Sequence, residues 1–161
     1  MTTEAHTAFA LPRTEWPRCL MALPASRVET LAEQLANQWA IQDVQIPQSG
    51  LGLVQLNDGA FGEGFFLGEA PFATARIRIT TPDGVMAEGA SQLLDDRSTL
   101  ARSVAILDAV LSARLEGHES AEALVLEGLG LIESTTSDRR RLLASTRVDF
   151  SLLGAEDDDH D

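Results

Sequence analysis

The chain has 161 residues with 12 basic and 25 acidic side chains, a formal net charge of -13 and 44% apolar content, which is the composition of one globular domain rather than a disordered segment. Every basic residue is arginine and lysine is absent, so P-loop and Schiff-base chemistry are excluded and any anion site must be built from guanidinium forks or backbone N–H groups. The acidity argues against nucleic acid or anionic membrane as a partner, and the lone Cys19 can form no internal disulfide and cannot by itself hold a zinc ion or iron–sulfur cluster.

In chain order, residues 1–12 lack periodicity and are expected to be a flexible lead-in. Residues 13–154 are expected to form a single domain, and residues 155–161 a disordered acidic tail. Between Thr14 and Trp39 the pattern predicts two short helices separated at Pro24. Trp16, Leu20 and Leu23 form the stripe of the first. Ser26 and Glu29 have the spacing of a capping box for the second, whose buried face would be Val28, Leu31, Leu35 and Trp39.

From Val44 to Leu94 the periodicity becomes that of strands. Pro47, Gly50, Asn57-Asp58-Gly59, Gly68, Pro71 and Pro82-Asp83-Gly84 are each able to supply a turn, which predicts an antiparallel meander. The clearest strand is Ala75 to Thr80, with Ile77 and Ile79 on one face and Arg76 and Arg78 on the other. Asp96 is a plausible N-cap for a long helix with the stripe Leu100, Val104, Leu107, Leu111 and Leu115, ending near Gly117. Ser120 to Leu126 and Asp138 to Thr146 read as two further helices, with Gly128 and Gly130 interrupting between them. The expected fold is α+β: an N-terminal helical pair, an antiparallel β meander, then a long helix in the C-terminal half with short helices.

No catalytic signature survives inspection. Gly50-Leu51-Gly52 lacks the third glycine and the following helix of a dinucleotide site, and Gly62-Glu63-Gly64 carries a carboxylate that would repel phosphate. Gly89-Ala90-Ser91-Gln92-Leu93 begins like a nucleophile elbow but lacks its closing glycine. The histidines stand at positions 6, 118 and 160, too dispersed for a metal cluster, and His118 reads as a helix-end residue. No apolar run reaches the about 20 residues of a bilayer span, and no leader pattern opens the chain. A soluble, cytoplasmic protein without a cofactor of its own is expected.

Two features remain. Asp108 falls inside the apolar stripe of the long helix, where a carboxylate needs partners. Those would be backbone N–H groups or an arginine, or else a ligand or interface. Arg139-Arg140-Arg141, with Arg147 beyond, could grip an anion, although three consecutive helical residues diverge and pairing with acidic surface is the commoner use.

Several segments, in order, carry a family resemblance. They are Arg13 and Trp16 ahead of Leu20; Gly52-Leu53-Val54-Gln55-Leu56; Gly62-Glu63 followed by Phe65-Phe66-Leu67-Gly68-Glu69; Arg76; Ala105-Ile106-Leu107-Asp108-Ala109; and Ala144-Ser145-Thr146-Arg147-Val148-Asp149-Phe150. Together they resemble, over most of the chain, the G-subunit (PhnG) family of the bacterial carbon–phosphorus lyase core complex. Where that family has a Gly-Arg-Asp element before the long helix, this chain has Asp95-Asp96-Arg97.

The resemblance implies a subunit of α-D-ribose 1-methylphosphonate 5-triphosphate synthase in phosphonate catabolism. Its partners would be the other core subunits, of H, I and J types, and an ATPase-like L subunit. In that family the G, H, I and L proteins together displace adenine from ATP by a phosphonate, and the J subunit later cleaves the carbon–phosphorus bond by radical chemistry. ATP is thus a substrate of the complex, and this chain would be a contact subunit without catalytic, cofactor or metal residues. Arg13, Trp16, Arg76, Asp108, Arg147, Asp149 and Phe150 would serve as interface or structural positions. Two other readings stay open: an autonomous small-ligand enzyme using Asp108 and Asp149 with an arginine clamp, and a self-associating structural protein.

Overall fold

A computed structural model of the protein describes residues 10–146. A 3-10 turn at Arg13–Glu15 leads into α1 (Trp16–Met21) and α2 (Ala25–Ala36). Three strands follow, β1 (Ala40–Asn57), β2 (Gly64–Thr80) and β3 (Met86–Leu93), then α3 (Ser98–Ala113) and α4 (His118–Ser145). The sheet is antiparallel in the order β1-β2-β3. The fold is the α+β arrangement expected of the sequence, with the helices layered on one face of the sheet.

The strand alternation at Ala75 to Thr80 sets that layering. Ala73, Ala75, Ile77 and Ile79 are buried under α3, whereas Arg76 and Arg78 point to the other, wet face. Fully burying Ile77 or Ile79 stabilises by about 1.5–3 kcal/mol each. α3 is buried on more than the anticipated stripe, because Ala101, Ala105 and Ala109 are enclosed as well as Leu100, Val104, Leu107 and Leu111. The small residues let its backbone approach β3: a Cβ placed on Gly89 would lie 2.0 Å from the Ala105 carbonyl oxygen and 2.7 Å from the Ala109 nitrogen. The sheet side and the α2 side both press on this helix, so no face of its middle turns is free.

Several local expectations are corrected. The meander has only three strands, because Pro47, Gly50, Gly68 and Pro71 lie inside strands instead of ending them. Pro47 sits on the edge strand β1 where the register shifts between Gln45 and Gln48, and Pro71 lies beyond the last β2–β3 pair, Ala73 with Leu93. Neither position needs a ladder N–H on both sides, which is the condition under which a strand accepts proline. The real turns are Asp58 to Glu63, closed by the Asp58 N–H to the Glu63 carbonyl at 2.8 Å, and Thr81 to Val85.

The helix ends differ too. α2 starts at Ala25 with Pro24 in the N-cap position and no side-chain cap. Ser26 is already helical there, so it cannot form the capping box. α3 is preceded by Arg97, not capped by Asp96, and it ends at Ala113 because Arg114 takes a left-handed conformation, φ 50°. Gly117, φ 83°, instead leads into α4. The two helices expected after it are one helix of 28 residues. Gly128 is there to admit α1: a Cβ on it would fall 2.0 Å from the Cys19 carbonyl oxygen.

Beyond this body, β1 and β2 continue as a two-stranded arm. β3 pairs with β2 only from Ala73 to Thr80, whereas β1 and β2 remain paired from Gln48 and Thr74 out to Asn57 and Gly64. No helix among the described residues lies over the arm, and Leu51, Leu53, Phe61, Phe66 and Leu67 on it are all more than 60% exposed.

Candidate functional site

The most organised polar constellation joins the chain's start to α3 and β3. Asp108, 6% exposed, accepts hydrogen bonds from Arg13 Nε at 2.7 Å and Arg13 Nη2 at 2.6 Å. Its Oδ2 also accepts from the Ala90 backbone N–H at 2.9 Å. The fork geometry is the bidentate one that makes arginine–carboxylate pairs strong. These bonds push the Arg13 guanidinium pKa up, the hydrogen bond it donates to Asp108 being the largest cause and the charge of Asp108 a further one. Of the two partner types expected for a carboxylate at this place, Asp108 has both.

The latch is completed by Trp16, buried in the core, whose indole N–H donates to the Leu11 carbonyl at 3.0 Å. Leu11 packs against the core, so the docked chain begins inside the segment expected to be flexible. Cys19 is enclosed beside Leu20, and that burial pushes its thiol pKa up, away from thiolate chemistry.

On the wet face of the sheet, Glu88 bridges two arginines. Arg76 Nη2 donates to it at 2.7 Å, and Arg78 donates through Nε at 3.0 Å and Nη2 at 2.5 Å. The bonds from Arg78, and then that from Arg76, hold the Glu88 carboxyl below the usual carboxylate range. A shallow concavity beside it is lined by Gln45, Thr74, Arg76, Ser91 and Gln92. Ser91 is no nucleophile, since its hydroxyl donates to the Ala101 carbonyl at 2.6 Å in the core. Sequence reasoning missed Glu88, whose available signal was its register opposite Arg78 in the neighbouring strand.

The remaining arginines are largely committed to the chain's own carboxylates. Arg27 pairs with Glu127, Arg102 with Asp43 and Arg141 with Asp138. Arg141 is thereby drawn to its own helix, against its use as one jaw of an anion grip. His118 opens α4 with Nδ1 3.0 Å from the Leu115 carbonyl oxygen. Arg97 folds back onto Asp95, its Nε at 2.8 Å, its Nη2 at 2.5 Å and its backbone N–H at 2.8 Å from the carboxylate. The side-chain bond from Arg97 is the chief reason that the Asp95 carboxyl is lowered to about 2. The Asp95-Asp96-Arg97 element is therefore a self-paired turn into α3.

The structure brings Arg13, Trp16 and Asp108 together at one corner and sets Arg76 on the adjoining sheet face; Arg147, Asp149 and Phe150 lie outside the described residues. No group of three or more His, Cys, Asp or Glu able to hold a metal occurs among the described residues, and no helix there is long and apolar enough to cross a membrane. The arrangement is one of structural latches beside an exposed apolar arm.

Comparison with known proteins adds two findings. A family model described as "Phosphonate metabolism protein PhnG" matches residues 11–154. A protein of Rhizobium meliloti (strain 1021), the "Alpha-D-ribose 1-methylphosphonate 5-triphosphate synthase subunit PhnG", is 28% identical over 146 residues, covering 90% of each chain.

Proposed function

Because this chain belongs to the PhnG family of phosphonate metabolism proteins, and so to the carbon–phosphorus lyase pathway, we propose that it is a non-catalytic subunit of a ribose 1-methylphosphonate 5-triphosphate synthase in the cytoplasm. The H, I and L proteins would act with it on ATP and a phosphonate. In that reaction a phosphonate oxygen bonds to the anomeric carbon of ribose, the glycosidic bond to adenine breaks, and adenine leaves.

The observation that carries the reading is the match, over 90% of each chain, to a relative named as a subunit of that synthase. The side chains agree with an accessory role. The chain has no lysine, its buried carboxylate Asp108 is neutralised by Arg13, and the Ser91 hydroxyl is turned into the core. An acid–base pair facing an open cavity is what an autonomous enzyme would need.

The test is reconstitution. The purified chain alone is expected to release no adenine from ATP plus methylphosphonate, whereas the full set of subunits releases it and the set lacking this chain does not. Adenine release by the chain alone would establish the autonomous enzyme instead, and full activity of the set without it would remove it from the synthase.

A further inference from the structure

Among the described residues, no other element packs over the apolar arm. Its two strands are in register from Ser49 with Ala73, through Leu51 with Pro71, to Leu53 with Glu69. Cross-strand partners share a face and alternate residues lie on the same side. Leu51, Leu53 and Pro71, with Glu69 among them, therefore continue the same face of the sheet that carries Ala73, Ala75, Ile77 and Ile79. Farther out, beyond the bulge at Leu67, Phe66 pairs with Gln55, two residues on from Leu53, and joins that face. Over the body this face is roofed by α3; along the arm no element among the described residues roofs it. Leu51 is 69% exposed and Leu53 66%, while Ile77 and Ile79 are 0% exposed.

A two-stranded ribbon is marginal in water without a covering layer, and an exposed, largely apolar face of this kind, here carrying Glu69 and Gln55 among its apolar residues, marks an interaction surface. Its charge narrows the occupant. Residues 44–75 include three carboxylates, Asp58, Glu63 and Glu69, and no Lys, Arg or His. The arm of a second copy would bring the same carboxylates and no compensating cation, on a chain with a net charge of -13 of its own. Complementarity calls for a different protein.

We propose that the helix-side face of the arm, Leu51, Leu53, Phe66 and Pro71, is roofed in the assembled protein by an apolar element of a heterologous partner subunit whose rim is arginine- or lysine-rich. This names the docking surface of the subunit role given above and rests on it. The partner takes over along the arm the place that α3 holds over the body, so the sheet acquires one continuous covering layer made by two chains.

The experiment measures association of the full-length chain with its co-expressed synthase subunits, using wild type, L51S/L53S and, as a control for exposed leucines elsewhere, L142S/L143S on α4. Serine leaves the net charge unchanged, and unfolding midpoints confirm that each variant folds. The arm variant is expected to bind at least about tenfold more weakly, the α4 variant within about twofold of wild type, and wild-type association to slow as salt is raised. If wild type and L51S/L53S bind alike, the arm is not the docking surface although the subunit role stands. If wild type binds no subunit, both fall. Salt-independent association overturns the cationic rim, and a wild-type homodimer that L51S/L53S converts to monomer overturns the heterologous partner.

Discussion

Body and arm are built from the same two strands, yet they meet opposite fates along their length. From Ala73 to Thr80, β2 has a neighbour on each edge and α3 across one face, and its buried Ala and Ile alternate strictly with the more open Thr and Arg. From Gly64 to Phe72 it has, among the described residues, one neighbour and no helix, and apolar residues stand exposed. An apolar side chain is therefore no guide to burial unless the layer that would cover it is also encoded in the chain. In the body that layer is Ala101, Ala105 and Ala109 on α3, and in the arm no segment among the described residues provides it.

The contrast can be broken most severely from the body. Gly89→Ala puts a methyl group against the backbone of α3 and is expected to lower the unfolding free energy by about 3 kcal/mol or more, or to prevent folding. Urea denaturation measures this, and a loss under about 1 kcal/mol would show that α3 lifts easily from β3.

Next in size is the latch. Asp108→Asn keeps an acceptor for the Ala90 N–H but removes the charge that faces Arg13; a loss of about 1–2 kcal/mol is expected, discounted because Arg13 is half exposed. The loss should shrink when Arg13 is also replaced by Ala, and a fully additive double mutant would deny the pair its coupling.

Excising the arm sharpens the comparison from the other side. Gly50 and Phe72 face each other across the ribbon, so residues 51–71 can be replaced by an Asn-Gly hairpin turn. Thermal unfolding should stay cooperative, with stability within about 1 kcal/mol of wild type. Collapse of the body on excision would contradict its independence.

The smallest effect is acid sensitivity at Asp95. Its folded pKa, about 2, lies below the ordinary 3.8, so its contribution is present above the unfolded value and is lost as pH falls from about 4 to about 2. With Arg97 half exposed, less than about 1 kcal/mol is expected, visible as a pH step that Asp95→Asn lacks and wild type shows.

What the sequence made legible follows the same division. Ile77, Ile79 and the α3 stripe were readable because burial on one face imposes a strict period. The core position of Asp108 was readable because a charge breaks that period, and the structure supplies Arg13 and Ala90 as its partners. The arm was read as several short strands because Pro47, Gly50, Gly68 and Pro71 punish a central strand but not an open ribbon. Gly128 and Gly130 were read as helix interruptions, whereas Gly128 lets two helices touch, a tertiary cause no local window contains. Ser26 and Asp96 had the chemistry of caps, but Pro24 and Arg97 set the chain's entry into α2 and α3 instead.

The open ribbon also bears on how the protein must be handled and made. Its edges carry unpaired backbone groups beside Phe65-Phe66-Leu67, the pattern that recruits further strands into aggregates. Asp58, Glu63 and Glu69 act there as gatekeepers. A free copy of the chain would thus depend on these three carboxylates to keep the ribbon from pairing edge to edge, and their removal is the change that would turn the arm into a seed for aggregation.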